Sequence, residues 1–214
     1  MHIQSEPAIL YFGTPVVLVS TVNENGSYNL APMSSAWWLA WRCVLGFGSH
    51  SKTPQNMIRT GQCVLNLPSA DMVGAVNRLA LTTGSNPVPP SKAARGYRYE
   101  PEKFAVAGLT PRKSETVSAP RVLECPVQLE ATVESVHHLA EQDERWRGRL
   151  VSIEVRVRRV HLSERILVDG DSNRIDPDKW RPLIMSFQHF YGLTANRLSE
   201  STLAQIPESL YRAS

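Results

Sequence analysis

The chain has 214 residues, 42% of them hydrophobic and 20% charged, and a formal net charge of +3. This is the composition of one globular domain large enough to bury a core, and the charge excludes the strongly basic balance of a nucleic-acid-binding protein. The arginines of its densest basic region, 145–165, are interleaved with Asp143, Glu144, Glu154 and Glu164, the pattern of a solvated sheet face. Cys43, Cys63 and Cys125 are an odd number without CxxC or Cys/His spacing, each in or beside an apolar run. Buried thiols in a reducing compartment are therefore expected, with neither a disulfide nor a zinc site. The apolar run 8–22 is broken by Gly13, Thr14 and Pro15 and has no basic leader, so it reads neither as a signal peptide nor as a membrane span. The expected location is the cytoplasm.

Residues 16–22 (VVLVSTV) are rich in β-branched side chains and end at Asn23-Glu24-Asn25-Gly26, after which 27–30 can return as the second strand of a hairpin. Ala31-Pro32-Met33-Ser34-Ser35 follows, with turn-favouring hydroxyls and a proline that removes a ladder donor. Then comes a cluster of Trp37, Trp38 and Trp41, open to two readings: packing in the core or at a dimer interface, and the wall of a ligand site. An apolar strand at 44–47 leads into Ser49-His50-Ser51-Lys52-Thr53-Pro54-Gln55-Asn56. Thr53 before Pro54 reads as a hydroxyl N-cap and a proline at the first helical position, opening a helix over 54–59 that stops near Gly61. A helix N-terminus offers unpaired N–H groups and partial positive charge. With the hydroxyls of Ser49, Ser51 and Thr53 and the ammonium of Lys52, this stretch is either an anion cradle or an ordinary capped helix.

Beyond it, 63–67 (CVLNL) reads as a short buried strand, and Ser69 as the N-cap of a helix over 70–80. Residues 82–98 (TTGSNPVPPSKAARGYR) are too polar and proline-rich for a core element; a lid or arm and a mobile loop are the alternatives, and Lys92, Arg95 and Arg98 could reach an anionic ligand. Alternating apolar and polar residues at 127–133 and 151–157 predict two strands, each with one dry and one wet face. Paired antiparallel, they could set Glu130 or Glu134 opposite Arg156 or Arg158. His137 and His138 read as loop histidines at a strand end, and 166–168 and 183–187 as further short strands. The fold class is mainly β with a few helices, a closed antiparallel barrel in one domain over 1–214.

The order of several segments is more informative than any of them. Gly26-Ser27-Tyr28-Asn29-Leu30-Ala31-Pro32-Met33-Ser34, then a strand, then Ser51-Lys52-Thr53-Pro54-Gln55-Asn56-Met57-Ile58-Arg59-Thr60-Gly61, then Val64-Leu65-Asn66-Leu67, resembles the flavin reductase-like family of FMN-binding split barrels. That family has G-x-x-N-x-A-P-x-S and K-T-x-x-N-I-x-x-T-G segments and a strand ending in Asn. Phe104, Ala107-Gly108-Leu109-Thr110, Ala119-Pro120 and Glu124-Cys125-Pro126-Val127-Gln128-Leu129-Glu130 resemble its later stretch, and the similarity covers about 14–193. The resemblance implies an antiparallel split β-barrel that holds FMN at the subunit interface of a homodimer, FAD not being excluded, and that takes hydride from NADH or NADPH onto the flavin. It further implies the phosphate at Ser49, Ser51, Lys52 and Thr53, with Asn56 steadying the turn. Asn29, Ala31, Pro32, Met33, Ser34 and Ser35 would lie beside the isoalloxazine ring. No side chain is thereby assigned a catalytic role.

A monooxygenase partner receiving reduced flavin fits the resemblance. The tryptophans, the 82–98 segment and an extension from Thr194 depart from the family pattern. They keep two alternatives open: an enzyme that retains FMN and acts directly on a small organic substrate, and a non-enzymatic flavin carrier.

Overall fold

The computed structural model describes residues 2–199 and 201. Seven antiparallel strands form its main sheet in the order Tyr28–Met33, Val17–Val22, Gln62–Leu67, Val127–Leu139, Leu150–Leu162, Arg42–Gly48, Ala36–Leu39. The two strands at its ends are consecutive in sequence and joined only by Ser34 and Ser35, so the sheet must curl until its ends nearly meet. Among the described residues no ladder joins them, and the barrel is split at that point.

Alternate residues of these strands, including Val17, Val19, Leu45, Leu65, Ile153 and Val155, fill the barrel interior. Fully burying each such aliphatic side chain stabilises by roughly 1.5–3 kcal/mol. The strand Val17–Val22 is buried on both faces, because Val16, Leu18 and Leu30 pack outward against Val76 and Leu79, in and just after the short helix α2 (Val73–Arg78), and against Phe104 and Ala107 of α4 (Lys103–Ala107). This explains why the strand reads as a continuous apolar run rather than an alternating one. The three thiols are buried and unpaired, and burial pushes Cys43 up to about 12.

Several expectations shift. The first long helix, α1, spans Lys52–Thr60 with Ser51 as its N-cap, so Thr53 and Pro54 lie inside the first turn instead of capping it. Proline is tolerated there because first-turn N–H groups have no intrahelical acceptor. Gly61 ends the helix as expected, with φ 68° and its N–H bonded to Met57 O at 2.8 Å. Residues 70–80 are a 3-10 turn, Ala70–Met72, running into α2, and the Ser69 hydroxyl bonds Asp71 rather than capping the backbone. His137 and His138 belong to the strand Val127–Leu139 and not to a loop. Glu134 does pair with Arg158, at 3.2 Å, while Glu130 stands opposite Arg159. Of the tryptophans, Trp38 packs against the core, whereas Trp37 and Trp41 are exposed. The segment 82–98 is folded, with Thr82–Thr83 pairing in parallel with Arg98–Tyr99 around a one-turn helix α3, Pro90–Ala93. The extension is described from Thr194 to Ser199 and at Ser201; the remainder lies outside the described residues.

The expected wet face of 127–133 is also dry at Gln128 and Glu130, the latter 0% exposed. The loop around Thr116 folds over this face. The Glu130 carboxylate accepts from Glu115 N at 2.9 Å and from the Thr116 hydroxyl at 2.6 Å, and it lies 2.8 Å from His161 Nε2 and 3.6 Å from Arg121 Nε. Burial by itself raises a carboxyl pKa, but the donors of Thr116, Glu115 and His161 outweigh it and hold Glu130 down at about 2. A folded pKa below the ordinary 4.5 contributes stability that is complete above about pH 4.5 and lost as pH falls through about 2. Glu130→Gln keeps the shape but removes the charge and one acceptor oxygen, and should cost on the order of 3 kcal/mol near neutrality. Urea unfolding should show the gap between the two proteins narrowing from pH 5 towards pH 2; a gap independent of pH would contradict this account of Glu130.

Candidate functional site

Where the end of the strand Arg42–Gly48 turns into α1, the chain forms one side of a cavity of about 340 Å³. Its other walls are the strand Tyr28–Met33, residues 79–84, the folded segment carrying Lys92, Arg95 and Tyr97, and Lys103 at the start of α4. The volume is within the range of small-molecule sites.

A buried polar cluster fixes the α1 end. Asn29 Nδ2 donates to Thr53 Oγ1 at 3.1 Å and to Thr21 Oγ1 at 3.3 Å, and Asn56 Nδ2 donates to Thr21 Oγ1 at 3.0 Å and to Asn23 Oδ1 at 2.9 Å. Hairpin and helix are thus joined through Thr21, Asn29, Thr53 and Asn56, whose side chains are almost wholly inaccessible. Asn29 Oδ1 is buried and has no hydrogen-bond partner, an uncommon state for an amide oxygen. Gly84 makes its closest approach there: a Cβ at this position would lie 2.5 Å from Asn29 Oδ1 and 3.2 Å from Lys52 Cγ. Lys52 and Thr53, as the first two helical residues, present N–H groups that have no acceptor four residues back.

The electrostatics are one-sided. Lys52, Lys92, Arg95 and Lys103 line the cavity, and no carboxylate does among the described residues. Lys52 Nζ bonds Glu24 at 2.6 Å on the solvent side, and this lysine holds Glu24 below the usual carboxylate range. Lys92 donates to Thr83 Oγ1 at 3.4 Å, and burial, reinforced by Arg95, lowers its pKa. Lys92 and Arg95 both lie over the ring of Tyr97, at 5.7 and 5.6 Å. Lys103 is only 4% exposed. Its burial, and next the charge of Lys92, bring it down to about 8, with Glu100 acting in the opposite direction. Lys92, Arg95 and Lys103, which have no ion pair with a carboxylate among the described residues, repel each other across this space, and an anion there offsets that repulsion. From Asn29 the strand runs about 13 Å to Met33. Ala31, Pro32, Met33, Phe47, Leu79 and Leu81 make the remaining wall largely apolar. Unpaired donors and cations combined with apolar wall fit a ligand that has an anionic group and a flat apolar body, as a phosphorylated flavin has.

Of the residues nominated from sequence, Asn29, Ala31, Pro32, Met33, Ser51, Lys52 and Thr53 line this cavity. Asn56 lies behind it and braces the hairpin. Ser34 and Ser35 are at the barrel split and Ser49 is on the far side of the turn, where Ser35 Oγ is 3.1 Å from the Tyr11 hydroxyl and Ser49 Oγ donates to Gly148 O at 2.6 Å. Of the three cations expected to reach an anionic ligand, Lys92 and Arg95 line the cavity and Arg98 does not. Sequence reasoning missed Phe47, Gly48, residues 79–84, Tyr97 and Lys103. Lys103 directly precedes the Phe104 of a recognisable segment, but nothing in the local pattern distinguishes it from a surface lysine.

Comparison with known proteins identifies the family and the fold. The model of the flavin reductase like domain matches residues 9–193. An uncharacterized protein of Bacillus subtilis (strain 168), YdfE, is 40% identical over 188 residues, covering 88% of this chain and 87% of its own. Among solved structures, flavoredoxin of Desulfovibrio vulgaris (Miyazaki F) superposes with a TM-score of 0.74 at 21% identity, over 95% of this chain and 99% of that one. Component B of nitrilotriacetate monooxygenase from Bacillus cereus has a TM-score of 0.70 at 23% identity, over 90% and 89%. At these identities the two structures establish the shared fold.

The close approach of Gly84 can be checked without any ligand. Gly84→Ala should cost about 1–3 kcal/mol in urea unfolding, because the added methyl must displace Asn29 or Lys52. Unchanged stability would mean that residues 82–85 do not lie against Asn29 as described.

Proposed function

Because the chain belongs to the flavin reductase-like family, we propose that it is an FMN-dependent oxidoreductase that takes hydride from NADH or NADPH and acts as a cytoplasmic homodimer. The observation that supports this most is one cavity in which unpaired backbone donors and four cations, from the end of α1, the facing 82–98 segment and the start of α4, adjoin an apolar wall. A flavin held there would supply the redox chemistry, as the hydride acceptor.

The chain's own residues then hold and orient. Lys52 and the N–H groups of Lys52 and Thr53 bind the phosphate, and the Asn29–Thr53 hydrogen bond keeps the helix end aimed at it. The strand Tyr28–Met33 is at an edge of the sheet, so the backbone groups on its free side can bond the polar rim of the ring; Pro32 contributes no donor. Phe47 and the buried Leu79 exclude water from the apolar wall. Positioning and electrostatics of this kind are what hydride transfer between stacked rings requires of a protein.

Exposed apolar side chains support the homodimer: Trp37, Leu39 and Trp41 at one sheet edge, and Phe12 packed edge-on against Phe187 at 5.0 Å. The fold shared with a monooxygenase component supports a role as the reductase that feeds a partner oxygenase. One observation favours a second reading, in which FMN is retained and a small organic substrate is processed directly: the 82–98 segment is folded over the cavity through Thr83, Gly84, Lys92, Arg95 and Tyr97, giving it a wall.

Stopped-flow mixing of FMN-loaded protein with NADH and with NADPH tests the reductase. Flavin absorbance should bleach at least tenfold faster than for free FMN with one of the two donors. Bleaching no faster than free FMN with both would overturn the reductase reading, and slow bleaching that accelerates only with an added organic substrate would favour the second one.

A further inference from the structure

Lys103 is the least explained residue of the cavity wall. It opens α4 beside the well-packed Phe104, and its side chain is driven inward with that helix rather than into solvent. No hydrogen bond or ion pair of its ammonium is found among the described residues, although a buried cation ordinarily has a partner. The elements packed on α4 provide none. Helix α2 contributes Arg78, whose guanidinium bonds Ala107 O at 2.6 Å, and the strand Tyr28–Met33 contributes Tyr28, whose ring meets Phe104 at 6.3 Å. Lys92 bears on Lys103 with like charge, Glu100 is the acid that bears on it, and Lys52 and Arg95 share the same cavity wall.

We infer that Lys103 is an anion receptor of this cavity that takes up a proton from solvent when the phosphate of the flavin binds. The inference rests on the flavin reading above. In the free protein, burial and the neighbouring cation Lys92 shift Lys103 towards the neutral amine, so that it is a cation near neutrality and largely uncharged by pH 8.5. An arriving dianion reverses that balance, so the amine gains one proton, a positive charge forms next to the bound phosphate, and no other bond is made or broken. Near pH 8.5 the phosphate is already a dianion and cannot be the source of the effect, since its second ionisation is centred at about pH 6. Lys103 would thereby make the site selective for the phosphorylated flavin and would weaken its hold as the medium becomes more alkaline.

Titration calorimetry of the flavin-free, full-length protein at pH 8.5 tests this, using FMN and riboflavin in two phosphate-free buffers of different ionisation enthalpy. The expected result is uptake of roughly half a proton or more per FMN and none with riboflavin. Lys103→Met should abolish the uptake and reduce the preference for FMN, whereas Lys103→Arg, always charged, should retain the preference without uptake. FMN binding with the same enthalpy in both buffers, or uptake that persists in Lys103→Met, would overturn the inference and leave the flavin reading standing. If the protein bound neither flavin, both would fall.

Discussion

The hydrogen bond from Asn29 to Thr53 joins the first hairpin to the start of α1, and the geometry of the cavity depends on it. Thr21 accepts from Asn29 and Asn56 together, so both strands of the hairpin and the more distant helix α1 are locked at one buried point. A net hydrogen bond is worth only about 1 kcal/mol, but an unmade one in such a place costs more, and the arrangement is therefore hard to change piecemeal. This lock holds the free end of the helix at a fixed distance from the edge strand Tyr28–Met33. The barrel split allows that edge to stay open, because its neighbour in sequence, Ala36–Leu39, pairs with Arg42–Gly48 instead of closing the ladder.

Around this fixed point the charge is arranged asymmetrically. Acids elsewhere are satisfied: Glu130 by backbone and hydroxyl donors, Glu24 by Lys52, Glu134 by Arg158. The cations of the cavity come from three separate segments, α1, the folded 82–98 region and α4, and converge on a space without a carboxylate. Such convergence lowers the stability of the empty protein and favours a bound anion by the same amount of repulsion relieved. It is a more specific signal than a helix N-terminus, which any capped helix possesses.

Strands were legible where local pattern determines them. The hairpin, the buried strand before Pro68 and the long pair around Val133 and Val155 follow from β-branched runs and alternation. Segment order was legible as a family, and with it the split barrel and most of the cavity's α1 side. Elsewhere the deciding information is non-local. Thr53-Pro54 has the form of a helix start, yet the helix begins two residues earlier, because proline is harmless anywhere in the first turn. Glu130 occupies the polar phase of an alternating strand and is nevertheless buried, since the loop carrying Thr116 covers that face. The 82–98 segment has the composition of a loop and gains its structure from the parallel pairing of Thr82–Thr83 with Arg98–Tyr99. Lys103 shows no local sign of its position, because its burial comes from the helix packing of Phe104 and Ala107.

The central claim is that the α1 end of the cavity binds the phosphate of a flavin. Its most direct test is fluorescence titration of the flavin-free protein with FMN and riboflavin, for the wild type and for the double substitution Lys52→Ala, Thr53→Val. The account predicts that the wild type prefers FMN and that the substitutions weaken FMN on the order of a hundredfold while changing riboflavin much less, because the charged contact of Lys52 to the phosphate is lost together with the Asn29–Thr53 hydrogen bond that aims the helix end. Equal losses for both flavins would contradict it and show that the phosphate is held elsewhere.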